Sequence, residues 1–138
     1  MIAVRSYTDT DYEAVRKNLT DGNLFDETWD TQTTLRAKIQ AQPDSILVAT
    51  IESEVVGSVY MVQDIWNSFI FRLAVQTNFR GQGIGSRLLD ESEKILKDKG
   101  CKNVALLVRA DEGELIDFYK NRGYKPMTRL HQCMYKEL

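Results

Sequence analysis

Apolar residues along this chain switch between two spacings, every second position and every third or fourth, and the switches mark its elements. Ile2 to Tyr7 reads as a short first strand. Tyr12, Val15 and Leu19 fall on one face of a helix over Asp11 to Leu19, with Thr8 or Thr10 as its cap and Asp21-Gly22-Asn23 as its end. Leu24 to Asp30 is irregular. Thr31 caps a second helix through Ala41, with Leu35 and Ile39 on one face. Ser45 to Ile51 and Val55 to Gln63 are strand runs joined at Glu52-Ser53-Glu54, an antiparallel hairpin. A polar turn from Asp64 to Ser68 leads to a further strand, Phe69 to Val75.

The period then changes sharply. Apolar residues run to Val75, glycines follow at Gly81, Gly83 and Gly85, and Ile84, Leu88, Leu89, Ile95 and Leu96 take up helical spacing to about Lys99, where Gly100 stops the helix. Asn103 to Val108 is a compact run suited to a buried strand parallel to Phe69–Val75, which makes a βαβ unit with a right-handed crossover. Asp111 to Glu114 opens an acidic helix carrying Leu115, Ile116, Phe118 and Tyr119, closed by Asn121-Arg122-Gly123. Tyr124 begins another strand, Pro126 interrupts, and Leu130 to Leu138 reads as a last strand of mixed polarity.

The strand–glycine–helix segment is the strongest candidate for chemistry. N–H groups in a helix's first turn lack partners inside the helix, and an anion can sit on them. Arg80 adds a positive charge at the mouth. A purely structural turn also uses such glycines, so phosphate binding and a tight turn both stay open on these residues alone. The segment is neither a P-loop, since Gly85 is followed by Ser86 and Arg87, nor a dinucleotide fingerprint, since Ser86 stands at the third glycine.

Composition narrows the field. A single domain over residues 1–138 is expected from the length. A net charge of -2 gives no reason to expect nucleic-acid binding, and no apolar run is long enough for a membrane span. Two cysteines, Cys101 and Cys133, make no disulfide framework, so a cytoplasmic setting is the default. With one histidine, His131, there is no metal-ligand spacing. His131 and Cys133 would share a strand face, yet nothing around them points to an activated thiol. Asp26, Glu27 and Asp30, beside Phe25 and Trp29, are either a solvated rim of a helix-docking patch or a pocket wall that draws a cationic amine. Tyr119 falls near the carboxyl ends of the central strands. It is either a core aromatic or a proton donor to a leaving group, and both can hold.

Two motifs together resemble those of the GCN5-related N-acetyltransferase (GNAT) family. The first is Leu73-Ala-Val followed by Arg80-Gly-Gln-Gly-Ile-Gly85 and Leu88-Leu89. The second is Phe118-Tyr-Lys-Asn-Arg-Gly-Tyr124. The element order agrees over nearly the whole chain. The resemblance implies an α/β GNAT (acyl-CoA N-acyltransferase) fold, with a mixed central sheet of 6-7 strands flanked by about 4 helices and with splayed central strands. It implies a transferase that moves an acetyl group from acetyl-CoA to a primary amine by direct attack in a ternary complex. The amine would be a small molecule, a polyamine, a protein lysine or an N-terminus.

By the same resemblance, the backbone of Arg80, Gly81, Gln82, Gly83, Ile84, Gly85 and Ser86 would hold the coenzyme A pyrophosphate. Leu73, Ala74 and Val75 would pair with the pantetheine arm, and Tyr119 would protonate the departing thiolate. Two positions depart from the family pattern: Glu112 stands where an asparagine is frequent, and Thr77 where a proline is common. The general base is open among Asp64, Glu27, Asp26 and water, and a homodimer is left open. The alternative is a non-catalytic acyl-CoA-binding or protein-interaction module on the same fold.

Overall fold

The structure, a computed structural model, describes all residues from Met1 to Leu138. They form two compact units, 1–106 and 107–138.

In the first unit a sheet runs in the order β1-β2-β3-β4-β5, from β1 (Ile2–Ser6), β2 (Ile46–Ile51), β3 (Glu54–Val62), β4 (Ser68–Val75) and β5 (Val104–Ala105). The first four are antiparallel in sequence, and β5 joins β4 in parallel. Strands β2 and β3 are buried along almost their whole length. That explains why they read as near-continuous apolar runs rather than alternating ones: both faces are covered. Helices α1 (Tyr12–Asp21) and α2 (Gln32–Ala41) follow β1, and α3 (Ile84–Asp98) links β4 to β5.

Local chemistry sets the helix ends. Asp11 Oδ2 accepts the Thr8 N–H at 2.8 Å, and both Asp11 oxygens take the Arg5 guanidinium, at 2.7 and 2.9 Å, just ahead of α1. Thr31 Oγ1 accepts the Thr34 N–H and caps α2, as its sequence suggests. Tyr12, Val15 and Leu19 of α1 and Leu35 of α2 enter one core cluster with Tyr7, Ile46, Val48, Val55, Tyr60 and Ala74. Asn18 pins α1 to the sheet by donating to the Val55 carbonyl. Gly57 leaves room for α3: a Cβ there would lie 3.0 Å from the Ala74 carbonyl and 3.2 Å from the Ile84 and Leu88 side chains. No helix is long and apolar enough to cross a membrane.

The β2–β3 hairpin turns through Glu52 (φ +49°) and Ser53 (φ +71°), with Ile51 opposite Glu54. Two left-handed residues match a strand twist well, but side chains there carry a steric cost of about 1–2 kcal/mol each. Ser53→Gly should therefore raise stability by up to about 1 kcal/mol, less the extra freedom glycine gains in the unfolded chain. A higher urea midpoint at unchanged slope is the expected reading, and an unchanged or lower midpoint would contradict it.

Three expectations change. The sheet has five strands, fewer than the six to seven implied. The run expected as a strand from Asn103 to Val108 forms one only at Val104–Ala105. In the second unit, α4 (Gly113–Asn121) is present, but neither Tyr124 nor residues 130–138 form a strand. Leu130, Met134 and Tyr135 are all exposed. The mixed polarity of this tail supplies no continuous apolar face to hold it on a sheet.

Candidate active site

The glycine turn is built as its sequence demands. After β4 the chain makes a short 3-10 turn at Thr77–Phe79, and Gly81 (φ +80°) and Gly83 (φ +82°) take left-handed backbone angles that side chains rarely adopt. Gly83 caps α3, and the Arg87 N–H is the donor that closes onto the Gly83 carbonyl. The N–H groups of Ile84, Gly85 and Ser86 thus belong to the first turn, where the helix offers no acceptor. A Cβ built at Gly81 or Gly83 would meet nothing within 4 Å, so the space in front of these backbones is open. Ile84 points into the core while Arg80, Gly81, Gln82 and Gly83 are exposed. Arg80 Nε donates to the Val75 carbonyl at 3.1 Å, which lays its guanidinium over the end of β4. Open backbone, unpaired donors and a nearby cation fit a pyrophosphate in chemistry and in room.

The edge of β4 is the second element. β4 pairs with β5 only at Ser68 and Phe69, so Ile70 to Val75 carries no strand partner on that side. On its other side it pairs with β3, where the register slips between Ser58 and Tyr60. The extra residue is accommodated at Arg72, whose φ is +56°. Ala74 is buried, and Leu73 and Val75 are half-buried.

Tyr119 lies in the second unit, on α4. Its ring meets Phe118 and Tyr124 edge to face, with centroids 5.3 and 5.6 Å away. Burial first, and then the charge of Glu112, raise its pKa, so the hydroxyl keeps its proton at neutral pH. Glu112 itself is the residue that precedes α4.

The acidic cluster divides. Asp26 and Glu27 are exposed, and Asp26 is occupied by the Thr28 N–H. Asp64 is exposed and accepts the Trp66 N–H. Asp30 is buried instead. It accepts the Asp26 N–H at 2.9 Å and the Arg72 Nε at 3.3 Å, while its backbone carbonyl takes the Tyr12 hydroxyl. The Tyr60 hydroxyl lies beside this carboxylate. Burial above all, then the Asp30 charge, push the Tyr60 pKa up. Tyr7 is likewise raised, to about 12, by burial and then by Asp9 and Asp11. Sequence reasoning missed this buried pair. The one signal was a lone arginine inside the apolar run Phe69 to Val75. Phe25 packs half-buried under Arg16, whereas Trp29 is exposed. His131 and Cys133 are exposed in a stretch without strand structure, so the shared face expected of them does not form.

Lys38 of α2 sits nearby, donating to the Met61 carbonyl and lying 5.4 Å from the Phe71 ring centroid. Burial lowers its pKa from 10.5 to about 8. Between those values the unfolded chain binds more protons than the folded one, so this residue makes stability rise with pH across that window. The wild-type stability minus that of Lys38→Met should climb from pH 8 to 10.5 in urea titrations. A flat difference would show that the lysine titrates normally.

A parallel β4–α3–β5 unit with a glycine-capped helix and an open strand edge is an α/β arrangement with room for a phosphate-bearing ligand at the start of α3. The sequence profile described as "Acetyltransferase (GNAT) family" matches residues 8–124. The chain belongs to that family of N-acetyltransferases and is an acetyl-CoA-dependent enzyme of this kind. It is 32% identical over 122 residues to an acetyltransferase of Pectobacterium atrosepticum, covering 88% of this chain and 86% of that one. The crystal structure of Ard1 from Thermoplasma volcanium superposes with a TM-score of 0.81 at 26% identity, over 92% of this chain and 84% of the other. The PaiA N-acetyltransferase from Thermoplasma acidophilum, solved in complex with coenzyme A, gives 0.75 at 23% identity, over 91% and 90%.

Proposed function

We propose that both units act as one N-acetyltransferase domain, which transfers the acetyl group of acetyl-CoA directly to a primary amine, with both substrates bound together. The observation that carries this reading is the open backbone cradle at the start of α3, directly after a strand whose edge is free from Ile70 onward. The family profile, which spans residues 8–124, supports the single-domain reading. The coenzyme A complex of the PaiA relative supports the choice of donor.

Each part of the chain then has a task. The backbone of Arg80 to Ser86 holds the pyrophosphate. Leu73, Ala74 and Val75 offer main-chain groups to the pantetheine amides, and an N–H in this stretch steadies the oxygen that gains charge as the amine attacks. Holding both reactants on rigid elements supplies much of the rate advantage. Tyr119, protonated at neutral pH, delivers a proton to the departing sulfur. The amine proton leaves through Asp64, Glu27, Asp26 or water. The acceptor is a small-molecule or peptide amine, and the enzyme works in the cytoplasm.

Coenzyme A release from acetyl-CoA, measured with and without each member of an amine library, tests this. Amine-dependent release is expected. Absence of amine-dependent release across the library, in protein that binds acetyl-CoA, would leave a coenzyme A-binding module instead.

A further inference from the structure

The Asp30–Arg72 pair has features that a simple structural ion pair does not require. Arg72 occupies the one bulged position of β4 with a left-handed backbone angle, φ +56°. A non-glycine residue in that region is strained, and such strain concentrates at functional positions. Arg72 lies one residue before the Leu73–Val75 stretch at which acetyl transfer is placed above. Its partner Asp30 has a side chain with 0% exposure, whereas 24% of the Arg72 side chain is exposed. The carboxylate is therefore out of reach of a substrate, and the cation is the accessible end of the pair.

The pair is also incomplete as a hydrogen-bonding unit. Only Nε of Arg72 engages Asp30, at 3.3 Å. A guanidinium has five N–H donors arranged as a fork, and the Nη edge is the one suited to a second carboxylate. The buried Tyr60 hydroxyl lies beside the Asp30 carboxylate, and the buried Tyr7 hydroxyl has no hydrogen-bond partner within the protein. Buried hydroxyls are ordinarily satisfied. Next to the pair in sequence are two exposed aromatic residues, Trp29 before Asp30 and Phe71 before Arg72. Phe71 is braced edge to face on Tyr60.

We infer that Arg72, anchored by Asp30, is a specificity-determining residue that selects acceptors carrying a carboxylate close to the reacting amine. This rests on the N-acetyltransferase reading of the same site. Asp30 fixes the direction of the guanidinium and offsets its charge at a distance, so the preference comes from a directed two-point contact rather than from general attraction. The exposed aromatic rings then receive the apolar body of the acceptor. The inference also redirects the reading of the acidic cluster: its one buried member serves the arginine and does not draw in a cation. The carboxylate has two sources, the α-carboxylate of a free amino acid and an acidic side chain near a peptide N-terminus.

Two sets of matched acceptors distinguish those sources. One compares free amino acids with their carboxamides, and the other compares short peptides with glutamate or glutamine at the second position. A charge-assisted contact of this kind is worth about 1.5–3 kcal/mol, so the carboxylate member of at least one set should show kcat/KM about ten- to a hundredfold higher. In Arg72→Gln that ratio should fall to near unity, while acetyl-CoA affinity by calorimetry stays at the wild-type value. Removing the arginine leaves Asp30 buried without its ion partner, so the Asp30→Asn, Arg72→Gln double variant is measured alongside as a charge-free replacement. It should lose the preference equally. Binding of N-acetyl-L-alanine against N-acetyl-L-alaninamide, followed by NMR shifts in wild type and in the double variant, provides a readout that needs no turnover.

A carboxylate preference that survives both substitutions overturns the inference. So does turnover of other amines with neither set accepted, a result that leaves the acetyltransferase reading intact. If no amine in any set releases coenzyme A, that reading falls on its own. The NMR comparison then decides Arg72: shifts for the acid that are lost in the double variant support it, and equal shifts for acid and amide overturn it.

Discussion

Gly83→Val is expected to lower the affinity for acetyl-CoA by about a hundredfold or more, in protein that still folds. Gly83 holds φ +82° at the start of α3, and a side chain there would project into open space rather than into the protein. The substitution therefore creates no internal clash. Its cost to the free protein is conformational, of order 1–3 kcal/mol for a branched residue in a left-handed position. Its cost to binding is larger if the proposal holds. The branched side chain would stand where the pyrophosphate approaches the unpaired N–H groups of Ile84, Gly85 and Ser86. Charge-assisted hydrogen bonds contribute about 1.5–3 kcal/mol each, and losing two of them exceeds a hundredfold in affinity.

Gly83→Asn separates the two costs. Asparagine tolerates left-handed angles far better than valine, so this variant keeps the turn while still placing atoms in the cradle. Calorimetry on both variants, with circular dichroism to confirm folding, provides the check. Wild-type affinity in either folded variant would remove the pyrophosphate from this turn and leave the glycines with a purely conformational task.

How much of this was readable in advance depends on how local the cause is. The α3 helix was legible almost to the residue because glycines, a period change and Gly100 all lie within the element they define. The α2 cap at Thr31 is likewise a contact over three residues. Strand β5 was over-read because an apolar β-branched run reports a capacity for burial, whereas a strand exists only where a neighbour pairs with it. That neighbour, β4, pairs with β5 only at Ser68 and Phe69 and bulges at Arg72. The tail from Leu130 forms no strand for a different reason: its mixed polarity offers no continuous apolar face to a sheet. Asp30 was hardest to place. In a run with Asp26 and Glu27 it looks like surface, and the residue that makes its burial tolerable is Arg72, 42 positions away. No periodicity carries a pairing of that separation. The glycine turn, by contrast, needs no distant partner to set its backbone: the left-handed angles at Gly81 and Gly83 and the start of α3 follow from residues within the turn itself.

Tyr119→Phe should lower kcat by about 10²–10⁴-fold, the usual contribution of a general acid. The ring and its edge-to-face contacts with Phe118 and Tyr124 are kept, so the melting temperature should move little. Affinity for acetyl-CoA should also change little, because the proton transfer proposed for the hydroxyl matters only as charge develops on sulfur. The raised pKa of Tyr119, caused by burial and then by Glu112, sets the pH behaviour. The acid form persists through neutrality and is lost only above the ordinary tyrosine range. The wild-type rate should thus show an alkaline fall that is absent in Tyr119→Phe. A donor whose thiolate leaves more readily needs less protonation, so the penalty should shrink with such a donor. Simple displacement of the thioester would harm both donors alike, which makes the comparison of donors the decisive measurement. If kcat stays near the wild-type value with both, under conditions where chemistry limits turnover, Tyr119 is a packing residue of α4 and the proton reaches sulfur by another route.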